Sequence, residues 1–140
     1  MSMFRTLQKQ TRIVTLFAHD LEVNKVGSKI LEYLKSDTSN KFTVEISTRF
    51  PTQDQLKYMN QFDTDGILGQ QIKSLDTVMN LPSFDSIYGL SLKDSIKRGI
   101  WNPKNSLWVD WERQRLGNSI ISVKEYLKNL EAAKDVESRL

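Results

Sequence analysis

The first 60 residues alternate between strand-like and helix-like patterns, and this alternation restricts the fold more than any other feature. Residues 12–17 form a short β-rich apolar run, and apolar side chains recur at helical spacing over 21–35. Residues 42–47 alternate apolar and polar side chains, which is typical of a strand with one polar face. Thr52 and Gln55 have the spacing of a capping box that begins a second helix. The order strand, helix, strand, helix predicts a parallel α/β start.

The middle of the chain is less regular. Glycine and proline residues interrupt the apolar residues of 62–90, so this stretch predicts an irregular helical connection. Ser91 and Asp94 have the spacing of another capping box. This box predicts a short helix that Gly99 closes.

The last third of the chain predicts a hairpin and a helix. Residues 106–111 alternate as a strand, 113–115 predict a turn, and 116–121 predict a second strand. Apolar residues at helical spacing follow from Ser122. The assembled order is βαβα, an irregular helical insert, and ββα, which is the sequence of elements of a thioredoxin-like α/β fold. A ferredoxin-like or another small α/β fold is also compatible with this order.

The net charge is concentrated at the start of the chain. The formal charge is +3, and residues 1–19 contain Arg5, Lys9 and Arg12 but no acid, so residues 20–140 are neutral. A nucleic-acid binder normally carries its positive charge as a patch on the folded body, so we expect no nucleic-acid partner. No apolar run approaches the roughly 20 residues that cross a bilayer, so we expect no membrane partner.

The domain organisation follows from the same observations. A basic, acid-free start with apolar residues is typical of a mitochondrial targeting segment, which we predict over residues 1–11. The strand pattern begins at Arg12, and the chain shows no interdomain linker, so we predict a single thioredoxin-like domain over residues 12–140.

The chain contains no cysteine and one histidine. The absence of cysteine excludes a disulfide framework, a thiolate metal site and any redox thiol supplied by this chain. With His19 as the only histidine, we expect no metal site, and no sequence motif calls for a cofactor.

Two sequence blocks carry a resemblance to a known family. Residues 49–59 (RFPTQDQLKYM) and 99–112 (GIWNPKNSLWVDWE) closely resemble a small fungal family of mitochondrial redox proteins with a thioredoxin-like fold, known from budding yeasts. The opening residues 4–8 (FRTLQ) and the spacing between the blocks match as well. The resemblance implies a mitochondrial location and a role in the reduction of small toxic molecules.

The chain departs from this family at the residue to which catalysis is assigned. The family has a single cysteine just before an Arg-Gly-aliphatic-Trp segment, which here begins at Arg98, and Ser95 aligns with that cysteine. A thioredoxin Cys-x-x-Cys pair would fall near residues 18–21, where this chain has Ala-His-Asp-Leu.

Ser95 still permits a narrower redox role. A hydroxyl does not ionise near neutral pH and has no reversible oxidation chemistry, so self-contained disulfide exchange is excluded. A ligand such as glutathione could supply the sulfur, with Ser95 donating a hydrogen bond to the thiolate and Arg98 anchoring a carboxylate. The simpler interpretation is that Ser95 is an exposed helical serine on an abandoned site.

Other candidates are weaker. His19 lies beside Asp20 directly after a predicted strand, so a His–Asp pair is conceivable. Asp110 and Glu112 lie two residues apart near a strand end and favour a polar face over a general acid/base pair. The tryptophans favour packing over ligand stacking: Trp101, Trp108 and Trp111.

Two functions are therefore predicted, and the sequence leaves open whether the chain is an enzyme. The first is a mitochondrial redox protein of thioredoxin-like fold whose chemistry depends on a ligand thiol bound at Ser95. The alternative is a non-catalytic thioredoxin-like module that binds a protein partner in mitochondria.

Overall fold

A four-stranded mixed sheet with helices on both faces forms the protein. The computed structural model describes residues 12–37 and 42–139. Its elements, in chain order, are β1 (Arg12–Phe17), α1 (Lys25–Ser36), β2 (Phe42–Ser47), α2 (Gln53–Phe62), α3 (Ile67–Gln71), α4 (Leu75–Met79), α5 (Leu92–Lys97), β3 (Leu107–Asp110), β4 (Arg115–Gly117) and α6 (Ile120–Arg139). The predicted targeting segment, residues 1–11, lies outside the described residues. The predicted α/β class and the predicted order of elements are confirmed.

The strands lie in the order β2-β1-β3-β4. Strands β1 and β2 are parallel, with a register that runs from Arg12 opposite Phe42 to Phe17 opposite Ser47. The parallel pairing fits the crossover through helix α1, because parallel neighbours need a long connection. Strand β3 is antiparallel to both β1 and β4. The predicted parallel start and the predicted hairpin are therefore both present.

Alternating side chains of the central strands enter two apolar cores on opposite faces of the sheet. Val14 and Leu16 of β1 and Trp108 of β3 pack with helices α1 and α6. Phe17 of β1 and Leu107 of β3 pack on the other face with residues of helices α2 to α5. Strand β1 is consequently buried on both faces, as its continuous apolar run predicts.

Two caps set the helix starts in the first half. The predicted box is present at α2: the Thr52 hydroxyl accepts from the Gln55 N–H, and the Gln55 side chain accepts from the Thr52 N–H. Helix α1 begins at Lys25 rather than near Leu21, because Asn24 Oδ1 accepts from the Gly27 N–H at 2.8 Å and caps the helix there.

The predicted second strand of the hairpin is too long. We predict a strand over 116–121, but β4 ends at Gly117 and α6 begins at Ile120. Ser119 causes the early end, because its hydroxyl accepts a 3.1 Å hydrogen bond from the Ser122 N–H and its carbonyl accepts from the Ser122 hydroxyl. The irregular stretch 62–90 contains the two short helices α3 and α4.

Candidate functional site

Ser95 lies on a short helix whose start was predicted from the sequence. Helix α5 follows Ser91, whose hydroxyl accepts a 3.1 Å hydrogen bond from the Asp94 N–H. Gly99 takes a positive φ of 73° immediately after the helix, a conformation that glycine adopts at little cost. The sequence thus places Ser95 within a single short turn of helix between two sharp changes of chain direction.

The Ser95 side chain is fully buried, at 0% exposure. Its hydroxyl donates to the Ser91 carbonyl at 3.1 Å, and its backbone carbonyl accepts from the Ile100 N–H at 3.0 Å. The interpretation of Ser95 as an exposed serine is therefore wrong. The side chain packs inside the molecule because α5 lays this face against the apolar core that contains Leu92 and Trp101.

Arg98 is at the opposite extreme of exposure. It is the C-terminal cap of α5 and its backbone N–H donates to the Asp94 carbonyl at 3.1 Å, while its side chain is exposed. Lys97 is exposed beside it, as expected for two cations at the negative end of a helix. The structure gives no contact between the Ser95 hydroxyl and the Arg98 guanidinium. The two predicted site residues share a helix but not a common pocket.

An open cleft of about 350 Å³ lies next to α5. Ile96 and Gly99 line it from the α5 side, and Gln71 and Lys73 line it from the α3 side. Ser95 is not among the lining residues. A ligand in this cleft would therefore meet the neighbours of Ser95 rather than its hydroxyl.

Two buried amides hold the loop before β3, and sequence reasoning missed both. Asn24 Nδ2 donates to the carbonyls of Pro103 and Asn105, each at 3.2 Å. Gln71 Nε2 donates to the carbonyl of Asn102 at 2.9 Å and to that of Asn105 at 3.4 Å. An asparagine before a helical pattern is a recognisable cap signal for Asn24. No local pattern marks Gln71, because its partners lie more than 30 residues away in the chain.

The conceivable His19–Asp20 pair does not form. Asp20 Oδ1 accepts from the Glu22 N–H at 3.0 Å, in a local turn after β1. His19 is half-buried, and its Nδ1 atom is buried without a hydrogen-bond partner among the described residues. Because no hydrogen bond or ion pair joins the two side chains among the described residues, the structure does not support a catalytic pair.

Asp110 contradicts the predicted polar face. It is fully buried, accepts a 2.6 Å hydrogen bond from the Tyr126 hydroxyl on Oδ2, and accepts from the Arg113 N–H on Oδ1 at 3.1 Å. Burial and the hydrogen bond to the Asp110 carboxylate raise the pKa of Tyr126 well above its ordinary value. Helix α6 covers this face of β3, which the alternation of residues 106–111 alone could not reveal. Glu112 is exposed.

The tryptophans pack as predicted. Trp101 is buried with its ring 6.4 Å from Phe17 and 6.0 Å from Phe50. Trp108 is buried 4.6 Å from Tyr126, and Trp111 is half-buried. Trp101 and Trp111 thus pack in the core that contains Phe17, and Trp108 packs in the core on the opposite face of the sheet.

Metal and membrane sites were also sought. In the part of the chain that the structure describes, no group of three or more His, Asp or Glu side chains could hold a metal ion. Across those same residues, no helix has the length and the apolar character that a membrane span requires.

Fold and site together define a small α/β protein that has a buried serine at the predicted reactive position and contains no cysteine. A family model described as a protein of unknown function (DUF1687) matches residues 4–119. Three relatives share the name "putative redox protein FMP46, mitochondrial". The relative from Candida glabrata is 50% identical over 91% of this chain and 98% of its own length. The relative from Saccharomyces cerevisiae is 43% identical over 91% and 97%, and that from Kluyveromyces lactis is 41% identical over 89% and 95%. The chain belongs to this fungal family.

A solved structure is also similar. The solution NMR structure of protein YKR049C from Saccharomyces cerevisiae has a TM-score of 0.55 at 43% identity, and the match covers 90% of this chain and 96% of that chain. The predicted family resemblance is confirmed by these matches. The predicted mitochondrial location is confirmed as well, because the relatives are named mitochondrial.

Proposed function

We propose that this chain is a thioredoxin-like mitochondrial protein that binds a protein partner and carries out no thiol chemistry of its own. The thioredoxin-like part of the proposal is supported by the strand order β2-β1-β3-β4, with one parallel pair, a terminal antiparallel hairpin and a closing helix. This topology also makes a ferredoxin-like arrangement the less favoured of the two folds that the sequence allowed.

The geometry of Ser95 carries the functional part of the proposal. A serine that stabilises the thiolate of a ligand must present its hydroxyl at the surface, within hydrogen-bond distance of the ligand sulfur. The Ser95 hydroxyl is instead buried and donates its proton to the Ser91 carbonyl. Because the chain contains no cysteine, none of its side chains can carry out disulfide exchange. We therefore assign to this fold the binding of a protein partner.

The names of the relatives favour a second candidate, a redox role in which the ligand supplies the thiol. In that case Ser95 would stabilise the thiolate of glutathione or another small thiol, and Arg98 would anchor its carboxylate. The reduction of small toxic molecules would belong to this candidate. It requires the Ser95 hydroxyl to leave the Ser91 carbonyl and to become accessible from the surface.

Reinstating a thiol at this position tests whether it is accessible. We expect the thiol of Ser95→Cys to be buried, with a pKa at or above the ordinary value of about 8.5, because burial disfavours the thiolate. Lys97→Cys is the matched control, since it places a thiol on the exposed face of the same helix. Alkylation by iodoacetamide should be at least about tenfold slower for Ser95→Cys than for the control. A depressed pKa and fast alkylation at position 95 would contradict the proposal.

Partner binding is tested by cross-linking in isolated mitochondria. The wild-type chain, Ser95→Ala and Arg98→Gln should yield the same cross-linked protein partner in the same amount. Loss of that partner in Ser95→Ala, or the absence of a reproducible partner for the wild-type chain, would contradict the proposal.

A further inference from the structure

A cleft of about 370 Å³ lies between strand β4 and helix α6, on a part of the molecule distant in sequence from Ser95. Trp108, Leu116, Tyr126 and Leu130 contribute its apolar lining. Its volume is at the low end of the range of small-molecule sites, roughly 300–1,000 Å³. A cleft of this size accommodates a ligand no larger than a short peptide.

The polar atoms on the floor of the cleft are already satisfied within the protein. The indole N–H of Trp108 donates to the Ser122 hydroxyl at 2.9 Å, and the Tyr126 hydroxyl donates to Asp110 at 2.6 Å. The Ser122 hydroxyl in turn donates to the Ser119 carbonyl at 2.7 Å. These groups are therefore not free to bind a ligand. Trp108, Tyr126 and Leu130 are also at most 5% exposed, so the floor offers little carbon surface, and the charged side chains of the rim determine what the cleft can bind.

The rim carries charge of both signs. Arg113 and Arg115 line it from the β4 side, and Asp65 and Glu125 line it from the α3 and α6 sides. Among the described residues, none of these four side chains is within ion-pair distance of an opposite charge, the single such pair being Lys29 with Glu32. The rim thus presents two free guanidinium groups and two free carboxylates around the mouth of the cleft.

Both arginines of the hairpin turn line the cleft. Gln114, between them, has a positive φ of 57°, and its side chain donates to the Tyr58 hydroxyl at 3.3 Å, on the side of helix α2. The Gln114 side chain is therefore held by α2, and it is not among the residues that line the cleft.

We propose that this cleft binds a small zwitterion, namely a free amino acid or a short peptide. Its carboxylate pairs with Arg113 and Arg115, and its ammonium group lies toward Asp65 and Glu125. The arginines would attract a simple anion, but the two carboxylates would repel it. The carboxylates would attract a simple cation, but the arginines would repel it. The inference is independent of the function proposed above, because it uses neither α5 nor Ser95.

Titration of glycyl-L-phenylalanine into the isotope-labelled full chain, followed by amide NMR shifts, tests this site. We expect saturable shifts at residues 113–117 and 122–130, with a Kd of about 1 mM, as befits exposed charge pairs. The C-terminal amide and the N-acetyl form of the same dipeptide should each bind at least about threefold more weakly, because each lacks one charge. Equal binding of either derivative, or no saturable shift at about 20 mM dipeptide, would overturn the proposal.

Matched variants locate the binding within the molecule. The double variant Arg113→Gln with Arg115→Gln should raise the Kd at least about fivefold. The double variant Lys25→Gln with Lys93→Gln removes the same charge from exposed side chains outside the cleft and should leave the Kd unchanged within about twofold. Equal weakening by both sets of substitutions would show that only the net charge matters and would overturn the assignment to this cleft.

Discussion

The Ser95 hydroxyl donates to the carbonyl of Ser91, one helical turn earlier, at 3.1 Å. The same carbonyl also accepts from the Ser95 backbone N–H at 3.0 Å. The buried Ser95 side chain therefore stabilises its own helix. The position at which the family resemblance predicts catalysis thus has a structural role. The serine thus satisfies its hydroxyl within its own helix instead of presenting it to a ligand.

We predict that Ser95→Ala changes stability little. The Ser91 carbonyl keeps its bond to the Ser95 N–H, so removing the hydroxyl leaves no unsatisfied partner, and the free energy of unfolding should fall by at most about 1 kcal/mol. Ser95→Leu should cost about 2 kcal/mol or more, because the side chain is fully buried and a larger one would overpack the interior. Urea unfolding of both variants checks the order, and equal effects would contradict the buried position.

The Asn24 side chain has two roles that substitutions can separate: its oxygen caps helix α1, and its amide holds the loop before β3. Asn24→Asp keeps an oxygen that can accept from the Gly27 N–H, but it removes the donor to the carbonyls of Pro103 and Asn105. We expect a loss of about 1–3 kcal/mol, since a carboxylate would face two carbonyl oxygens. Asn24→Ser, which keeps the cap without adding charge, is the control and should cost less. Similar stability of Asn24→Asp and the wild-type chain in urea unfolding would refute the role of the side-chain amide.

Gly117 permits the close approach of β4 to α6. A Cβ atom there would lie 2.7 Å from both Ser122 Cβ and Trp108 Nε1, so Gly117→Ala should destabilise the fold by about 1–3 kcal/mol. Gly69→Ala is the contrasting variant, because a Cβ on this helical glycine meets nothing within 4 Å. It should be neutral or stabilising by up to about 1 kcal/mol. Thermal unfolding of both variants distinguishes them, and a tolerated Gly117→Ala would contradict the packing.

The raised pKa of Tyr126 predicts a loss of stability in alkali. The folded-state pKa lies above the unfolded value of about 10, so the stabilisation is fully present below pH 10. It is lost as the pH rises above 10, by up to about 1.4 kcal/mol per pH unit, because only the unfolded chain releases the proton.

Tyr126→Phe removes this group and should show a flatter dependence on pH above 10. Tyr33→Phe serves as the control, because the Tyr33 hydroxyl donates no hydrogen bond within the described residues. Unfolding free energies measured between pH 8 and about pH 11 separate the two. Parallel curves for the wild-type chain and Tyr126→Phe would show that burial and the hydrogen bond to Asp110 do not raise the pKa of Tyr126.

Local patterns predicted the parts of the fold that depend on local chemistry. Strand β1 covers the apolar run of residues 12–17, β2 covers the alternating residues 42–47, and the Thr52 cap begins α2. Gly117 and Ser119 ended the hairpin strand earlier than predicted, because the cap of α6 competes with the β-branched and apolar residues that follow it.

The candidate site was less predictable, because burial at these positions depends on elements distant in the chain. A serine on a short helix carries no local sign of burial, and Ser95 is covered only after α5 packs against the core of Trp101. Asp110 has the position of a surface carboxylate in its strand, yet Tyr126 of α6 lies over it. Gln71 is fixed by carbonyls of a loop that follows 30 residues later. These contacts join residues that are distant in the chain, so the hydrophobic periodicity of the sequence does not reveal them.

The central claim is that Ser95, which the resemblance aligns with the family cysteine, does not serve a thiol ligand. Titration of reduced glutathione into the isotope-labelled chain, followed by amide NMR shifts, tests it most directly. We predict no saturable shifts at residues 91–99 or 18–20 at about 10 mM ligand, whatever shifts occur at the cleft of Arg113 and Arg115. Saturable shifts at 91–99 that disappear in Ser95→Ala would contradict the account and would establish Ser95 as a donor to a bound thiol.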